Sequence, residues 1–172
     1  MFDKLFKNFN TSIWIVRVFC VLSLFLCNWQ TVSGLCLLMG YNSWGFAIVV
    51  NLITQIIIVL LFPIIVRGLA KLFRFYNLPF AEYSLVATAF YGLYALAFGL
   101  IQIVNFFTPL YSTWINLLGG FLCGTVAYLG FYLFTSKMYF NTATRPRYFK
   151  ILAIGYVVVM SARTIFLIGG GV

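Results

Sequence analysis

The sequence contains no histidine and only two acidic residues, Asp3 and Glu82. Without histidine, the Ser–His and Cys–His pairs that activate nucleophiles cannot form. Catalysis by a pair of carboxylates needs two acids close together, and only Glu82 lies near the apolar segments, so such a pair could form only across subunits. The four cysteines have no CxxC spacing, so the usual ligand pattern of a zinc or haem site is missing. We therefore expect a protein that is not an enzyme and that has no cofactor and no metal site.

Charged residues of either sign are scarce, at 8% of the 172 residues, whereas 64% of the residues are hydrophobic. A soluble domain is closer to half apolar and a quarter charged, so this composition indicates an integral membrane protein. The length allows one compact bundle over residues 1–172 and no separate soluble domain. The net charge of +9 would favour nucleic acid in a soluble protein, but here it indicates membrane orientation, and we expect no nucleic-acid partner.

Apolar stretches divide the chain into predicted membrane spans, each of which needs about 20 residues if it is helical. The predicted fold is therefore an all-α bundle of about five transmembrane helices, over residues 12–27, 44–66, 79–104, 113–135 and 150–169. The first stretch is the shortest, and the apolar run 32–39 behind it either lies in the interface or belongs to a span. The first stretch also resembles a secretory signal, but Arg17 inside it and the bulky Trp29 after it favour a retained segment.

Basic residues set the predicted orientation. With five spans, nine of the eleven lysines and arginines fall on the same side of the membrane. This positive-inside pattern predicts a cytoplasmic N-terminus and an outside C-terminus in a bacterial-type inner membrane or an organellar membrane with the same charge rule. Four of the nine form a predicted cytoplasmic basic loop that contacts lipid headgroups or an acidic partner, namely Lys137, Arg145, Arg147 and Lys150.

Small residues mark the predicted helix contacts. Gly120 and Gly124 form a GxxxG pair on the fourth span, and Ala127 continues the same face. Gly92 and Gly99 give the third span a similar face, and small residues allow helix backbones to approach closely in lipid. We expect the third and fourth spans to pack together, although the same motifs also suit self-association or a partner's helix.

Two charged residues near the cytoplasmic ends of their spans have matching depths. Arg17 lies roughly 6 Å into the first span and Glu82 roughly 5 Å into the third, at about 1.5 Å of rise per residue. An Arg17–Glu82 ion pair is therefore predicted, or failing that a pair between Glu82 and a basic residue of the loop before it. The alternative is that both side chains simply reach the headgroups.

Arg163 poses a different problem, because it lies roughly 20 Å into the fifth span and has no carboxylate at its depth. It can reach the outer headgroups, or pair with an acid of another subunit. It can also line a polar pocket in the outer half of the bundle, together with Asn51, Gln55, Gln102 and Asn116.

These observations favour a small non-catalytic subunit or scaffold of a larger membrane protein assembly. Short loops, small-residue helix faces and an arginine without an internal partner all fit that role. The expected partners are membrane lipids and other membrane subunits or further copies of this chain. The alternative is an oligomeric transporter or channel for a small anionic or polar solute, which would use the pocket around Arg163.

Overall fold

A computed structural model describes the backbone of residues 9–28, 44–75, 78–107 and 113–169, and all regular structure in these ranges is α-helical. The predicted all-α class and the prediction of five helices are therefore confirmed. We number the helices in chain order as α1 Phe9–Cys27, α2 Trp44–Leu72, α3 Phe80–Phe107, α4 Thr113–Tyr139 and α5 Arg145–Gly169.

Within the residues that the structure describes, three helices contain segments long and apolar enough to cross a membrane, namely Trp44–Leu72, Phe80–Val104 and Leu117–Tyr139. The number of spans and the orientation stay predictions. The apolar segment of α1, Ile13–Cys27, is shorter. Several helices extend beyond the predicted spans, because hydropathy marks the part suited to hydrocarbon whereas a helix continues until the backbone is interrupted. The apolar run 32–39 lies outside the described residues.

The C-terminus of α2 shows what interrupts a helix here. Arg74 has a left-handed backbone with φ 59°. The Phe75 amide donates to the Ala70 carbonyl at 2.9 Å, and the Arg74 amide donates to the Lys71 carbonyl at 2.9 Å. These two bonds form a Schellman cap, which satisfies carbonyls that the helix leaves open. Pro63 lies inside α2, which continues for more than two turns beyond it.

The chain divides into two compact units, Met1–Leu100 and Ile101–Val172. The first contains α1, α2 and most of α3. Its core joins Cys20 and Leu24 of α1, Val59 of α2 and Ala95 of α3, all at most 4% exposed. The prediction of a single domain over residues 1–172 stays a prediction.

Glycines bring α3 directly against α1 in the first unit. A Cβ on Gly92 would lie 2.9 Å from the Phe19 ring, and a Cβ on Gly99 would lie 2.9 Å from the Cys27 backbone nitrogen. The contacts advance along both helices in the same direction, so α1 and α3 are parallel neighbours. We expected these glycines to contact the fourth helix, but the nearest atoms to both belong to α1.

The second unit contains an antiparallel hairpin of α4 and α5, held by hydroxyl groups. The Tyr148 and Thr135 hydroxyls lie 2.6 Å apart at the closed end, and those of Tyr156 and Thr125 lie 2.7 Å apart further along. Because Thr135 also donates to the Phe131 carbonyl at 2.6 Å, its single hydroxyl hydrogen is used there and Tyr148 is left to donate. The tyrosines thus connect two helices that each satisfy their own backbone.

The remaining small residues of the predicted packing face lie within the same unit. The nearest atoms to a Cβ on Gly124 would be those of Met160 and Tyr156 of α5. Gly119 faces the Ile101 side chain, and this is the contact that α4 makes with the end of α3. Gly120 is buried and Ala127 is half-buried.

Comparing alanine at three glycines tests the contact between α1 and α3. Gly99→Ala is expected to lower the free energy of unfolding in mild detergent by about 1–3 kcal/mol, because a methyl group there meets backbone that cannot rotate away. Gly92→Ala should cost less, since the Phe19 ring can turn. Gly68→Ala is the control: nothing lies within 4 Å of its Cβ position, and alanine should stabilise the helix by up to about 1 kcal/mol. A Gly99→Ala protein as stable as the wild type would contradict this packing.

Candidate functional site

One face of α2 is buried along its first half, and its two middle residues are polar. Ala47, Asn51, Gln55 and Val59 recur every four residues, which places them on one side of the helix. Asn51 is 5% exposed and Gln55 is 4% exposed. Val59 belongs to the core between α1 and α3, so the same face directs both amides toward the interior of the first unit.

The two amides contact each other and leave one atom of each without a partner. Gln55 Nε2 donates to Asn51 Oδ1 at 2.9 Å. Among the described residues, neither Asn51 Nδ2 nor Gln55 Oε1 has a hydrogen-bond partner, and both atoms are buried. Exchanging the nitrogen and oxygen of both amides leaves the same inventory of one unused NH₂ group and one unused carbonyl.

This arrangement differs from that of the serine and threonine hydroxyls in the same unit. The hydroxyls of Ser23, Thr54 and Thr88 each donate to the carbonyl four residues earlier at 2.8 Å. Such hydroxyls satisfy themselves within their own helix, whereas a carboxamide carries two donors and an acceptor that no single carbonyl can satisfy. Among the described residues of the first unit, the Asn51–Gln55 pair therefore has buried polar atoms whose hydrogen bonding is incomplete. We take this pair as the candidate site.

The other members of the predicted polar pocket are less well defined. Gln102 lies on α3 in the second unit, and its buried Oε1 has no hydrogen-bond partner among the described residues. Asn116 and Arg163 lie on α4 and α5, but their side chains fall outside the part that the structure describes. The structure thus brings together Asn51 and Gln55, and a pocket that joins all five residues stays a prediction.

The predicted Arg17–Glu82 ion pair is not formed. Within the described residues, Arg17 instead lies over the Trp14 ring, with its guanidinium carbon 5.5 Å from the ring centroid. Arg67 makes a similar contact with Phe80 at 5.7 Å. A cation above an aromatic face is attracted by the ring's electrons, and residues three apart on a helix are already neighbours. Matching depth along two helices did not establish that the side chains point toward each other.

The predicted cytoplasmic basic loop is also corrected. Lys137 belongs to α4, whereas Arg145, Arg147 and Lys150 belong to α5, so the described loop 140–144 between these helices carries no charge. Arg145 Nε donates to the carbonyls of Ser136 and Phe140, each at 3.1 Å. These carbonyls are at the C-terminus of α4, where a cation is favoured by the helix dipole. Lys137 and Lys150 are exposed at the same end of the hairpin.

Sequence reasoning missed the tyrosines that connect α4 and α5. Tyr148 is 1% exposed, and its ring stacks on Phe140 with the centroids 4.0 Å apart. Tyr156 stacks on Tyr128 at 4.9 Å. The available signal was the presence of threonines on α4 and tyrosines on α5 at compatible positions along an antiparallel pair of helices.

These contacts determine what the described helices offer chemically. The hydroxyls of Tyr148 and Tyr156 are used in bonds between α4 and α5. The amide pair offers neutral hydrogen bonding in a buried setting. No protein-family model, curated protein or solved structure matches the chain. Function therefore has to be inferred from the residues themselves.

Replacing Arg145 tests its role as a cap of α4. Arg145→Gln removes a charge-assisted bond to two carbonyls and is expected to lower the free energy of unfolding by about 1.5–3 kcal/mol. Lys150→Gln removes an exposed charge from the same end of the hairpin. Its free energy of unfolding should stay within about 0.5 kcal/mol of the wild-type value. Equal effects of the two substitutions in detergent unfolding would show that only net charge matters at this end.

Proposed function

We propose that this protein is a small non-catalytic subunit of a larger assembly in a bacterial-type inner membrane. It crosses the membrane five times, with its N-terminus in the cytoplasm and its C-terminus outside. The observation that carries the proposal is an exposed stretch of α5 that includes the small residues Gly155 and Ala162.

The directions of the helices support five spans. The parallel contact of α1 with α3 at Gly92 and Gly99 is the arrangement expected if both cross in the same direction and α2 crosses back between them. The antiparallel hairpin carries α5 at least as far as Met160, which lies at the level of Gly124 on α4. Nine of eleven basic residues on one side support the orientation.

The face of α5 that supports a partner contact is defined by Gly155, Val159 and Ala162. Outside its own helix, no described heavy atom lies within 4 Å of where a Cβ of Gly155 would be. Val159 is 62% exposed, and Ala162 is also exposed. Gly155 and Ala162 lie seven positions, or about two turns, apart on this face. Small residues allow another helix to approach closely, and in lipid such packing is a main source of association.

Arg163 directly follows this face along the chain and has no acid of its own at that end of α5. The chain's two acids are Asp3 and Glu82, and Glu82 lies in the first turn of α3, near the predicted cytoplasmic end. A cation within a span is stabilised by pairing with an acid of a neighbouring helix. We propose that a partner subunit supplies this acid.

A second candidate function is transport of a small polar solute by an oligomer. The Asn51–Gln55 pair favours it, because a buried group with an unused donor and acceptor can bind a polar molecule on its way through the membrane. In that case flux should depend on Arg163 and on the amides, whereas a partner subunit would not be required.

Thiol labelling tests the orientation. In a background whose native cysteines are replaced by alanine, Thr142→Cys places one thiol in the exposed loop between α4 and α5. We expect an impermeant maleimide to label it only after the cells are permeabilised, since the positive-inside rule places this loop in the cytoplasm. Leu110→Cys, between α3 and α4, is the matched control and should react on intact cells. Reaction of Thr142→Cys on intact cells would reverse the proposed orientation.

Native mass spectrometry of the protein, released gently from its own membrane, tests the subunit role. The expected result is a complex with a different, larger membrane protein. Gly155→Leu should remove that partner without unfolding the chain, because the described chain leaves open space at this position. Gly45→Leu is the control, since Gly45 also has nothing within 4 Å but lies on α2.

Three results separate the two candidates. Loss of the partner in both Gly155→Leu and Arg163→Gln supports a docking surface on α5. Loss of the partner in Gly45→Leu as well would indicate general misfolding of the helices and contradict that surface. A wild-type protein found only as a monomer or homo-oligomer would overturn the subunit role in favour of transport.

A further inference from the structure

The incomplete hydrogen bonding of Asn51 and Gln55 requires a partner that is not part of the described chain. Both unused atoms are buried within a helix segment apolar enough to lie in a membrane. Water is scarce there, and a buried donor or acceptor without a partner is costly. The mutual bond between the amides satisfies only part of their capacity. The remaining NH₂ group and carbonyl lie on adjacent turns of one helix, so one small group can reach both.

The chemistry of the two atoms selects the kind of group. An anion would need several donors or a cation beside it, and a metal ion would need several oxygens, whereas the pair offers one unused carbonyl. The described basic residue that follows on α2 is Arg67, twelve positions after Gln55 and roughly 18 Å along the axis. A neutral group that both accepts and donates one hydrogen bond fits this inventory.

We propose that Asn51 and Gln55 form a binding site for a single hydroxyl group, supplied by a water molecule or by a small neutral solute. The group accepts from Asn51 Nδ2 and donates to Gln55 Oε1, which completes both amides. Ala47 and Val59, each 1% exposed, close the same face one turn before and one turn after the pair. The pair therefore lies between two buried apolar residues on this face.

The proposal is independent of the subunit role, and it narrows the solute of the transport candidate from anionic or polar to neutral. A structural water and a solute in passage use the same two hydrogen bonds. They differ in whether removal of the amides changes the flux of solute across the membrane. The experiment therefore has two arms, one that detects the bound group and one that measures permeation. The presence or absence of a partner subunit in native mass spectrometry does not affect either arm.

The first arm detects the occupant by NMR on the wild-type protein, deuterated except at exchangeable positions, in nanodiscs of deuterated lipid. Nuclear Overhauser cross-peaks are recorded from the side-chain NH₂ groups of Asn51 and Gln55, first in water and then with protonated glycerol added. A cross-peak from Asn51 to water or to glycerol is the expected result. The backbone amides of Ala47 and Val59 are the negative control on the same face. Absence of any cross-peak from Asn51 to water or glycerol would overturn the proposal.

The second arm measures glycerol entry into vesicles by stopped-flow light scattering. The double variant Asn51→Leu/Gln55→Leu removes the donor and the acceptor together, and Thr54→Val is the control because Thr54 is exposed and bonds to its own helix. With the cross-peak present, unchanged flux identifies a held water, and a loss of flux of tenfold or more identifies a solute in passage. Both outcomes support the site. If the double variant fails to insert, the wild-type NMR result decides the proposal alone.

Discussion

Hydrocarbon neither donates nor accepts hydrogen bonds, and most of this structure follows from that constraint. Every backbone group within a span has to be satisfied inside the chain, which favours long helices over irregular segments. Hydroxyl side chains obey the same rule, since Thr88 and Thr125 donate to the carbonyl one turn before them at 2.8 Å. Carboxamides cannot be completed in this way, and so Asn51, Gln55 and Gln102 each keep a buried polar atom without a hydrogen-bond partner among the described residues.

The two units use different means to hold helices together. In the first, the absence of a side chain at Gly99 lets α3 approach the backbone of α1. In the second, tyrosines on α5 bond to threonines on α4, and Arg145 binds the carbonyls at the end of α4. Apolar burial gives little preference between a neighbouring helix and lipid, so close packing and hydrogen bonds select the contacts.

The exposed surfaces of α2 and α5 are both largely apolar. Most of α2 outside its buried face is exposed and made of large aliphatic side chains, such as Ile53 and Ile64, which suits lipid tails. The exposed surface of α5 also carries large aliphatic side chains, such as Ile154 and Val158, together with the small residues Gly155 and Ala162. Exposed apolar surface on both helices fits a membrane environment.

The sequence by itself determined the number of helices, their approximate bounds and the apolar character of their surfaces, because hydropathy acts locally along the chain. The spacing of Asn51 and Gln55 also predicted their shared face, since residues four apart are neighbours on any α-helix. Only the tertiary structure decided that Gly99 meets Cys27, that Arg17 lies over Trp14 instead of pairing with Glu82, and that Arg145 caps α4. A sequence defines the faces of a helix, but which neighbour covers each face depends on the rotation and depth of two helices together, and these follow from packing between residues far apart in the chain.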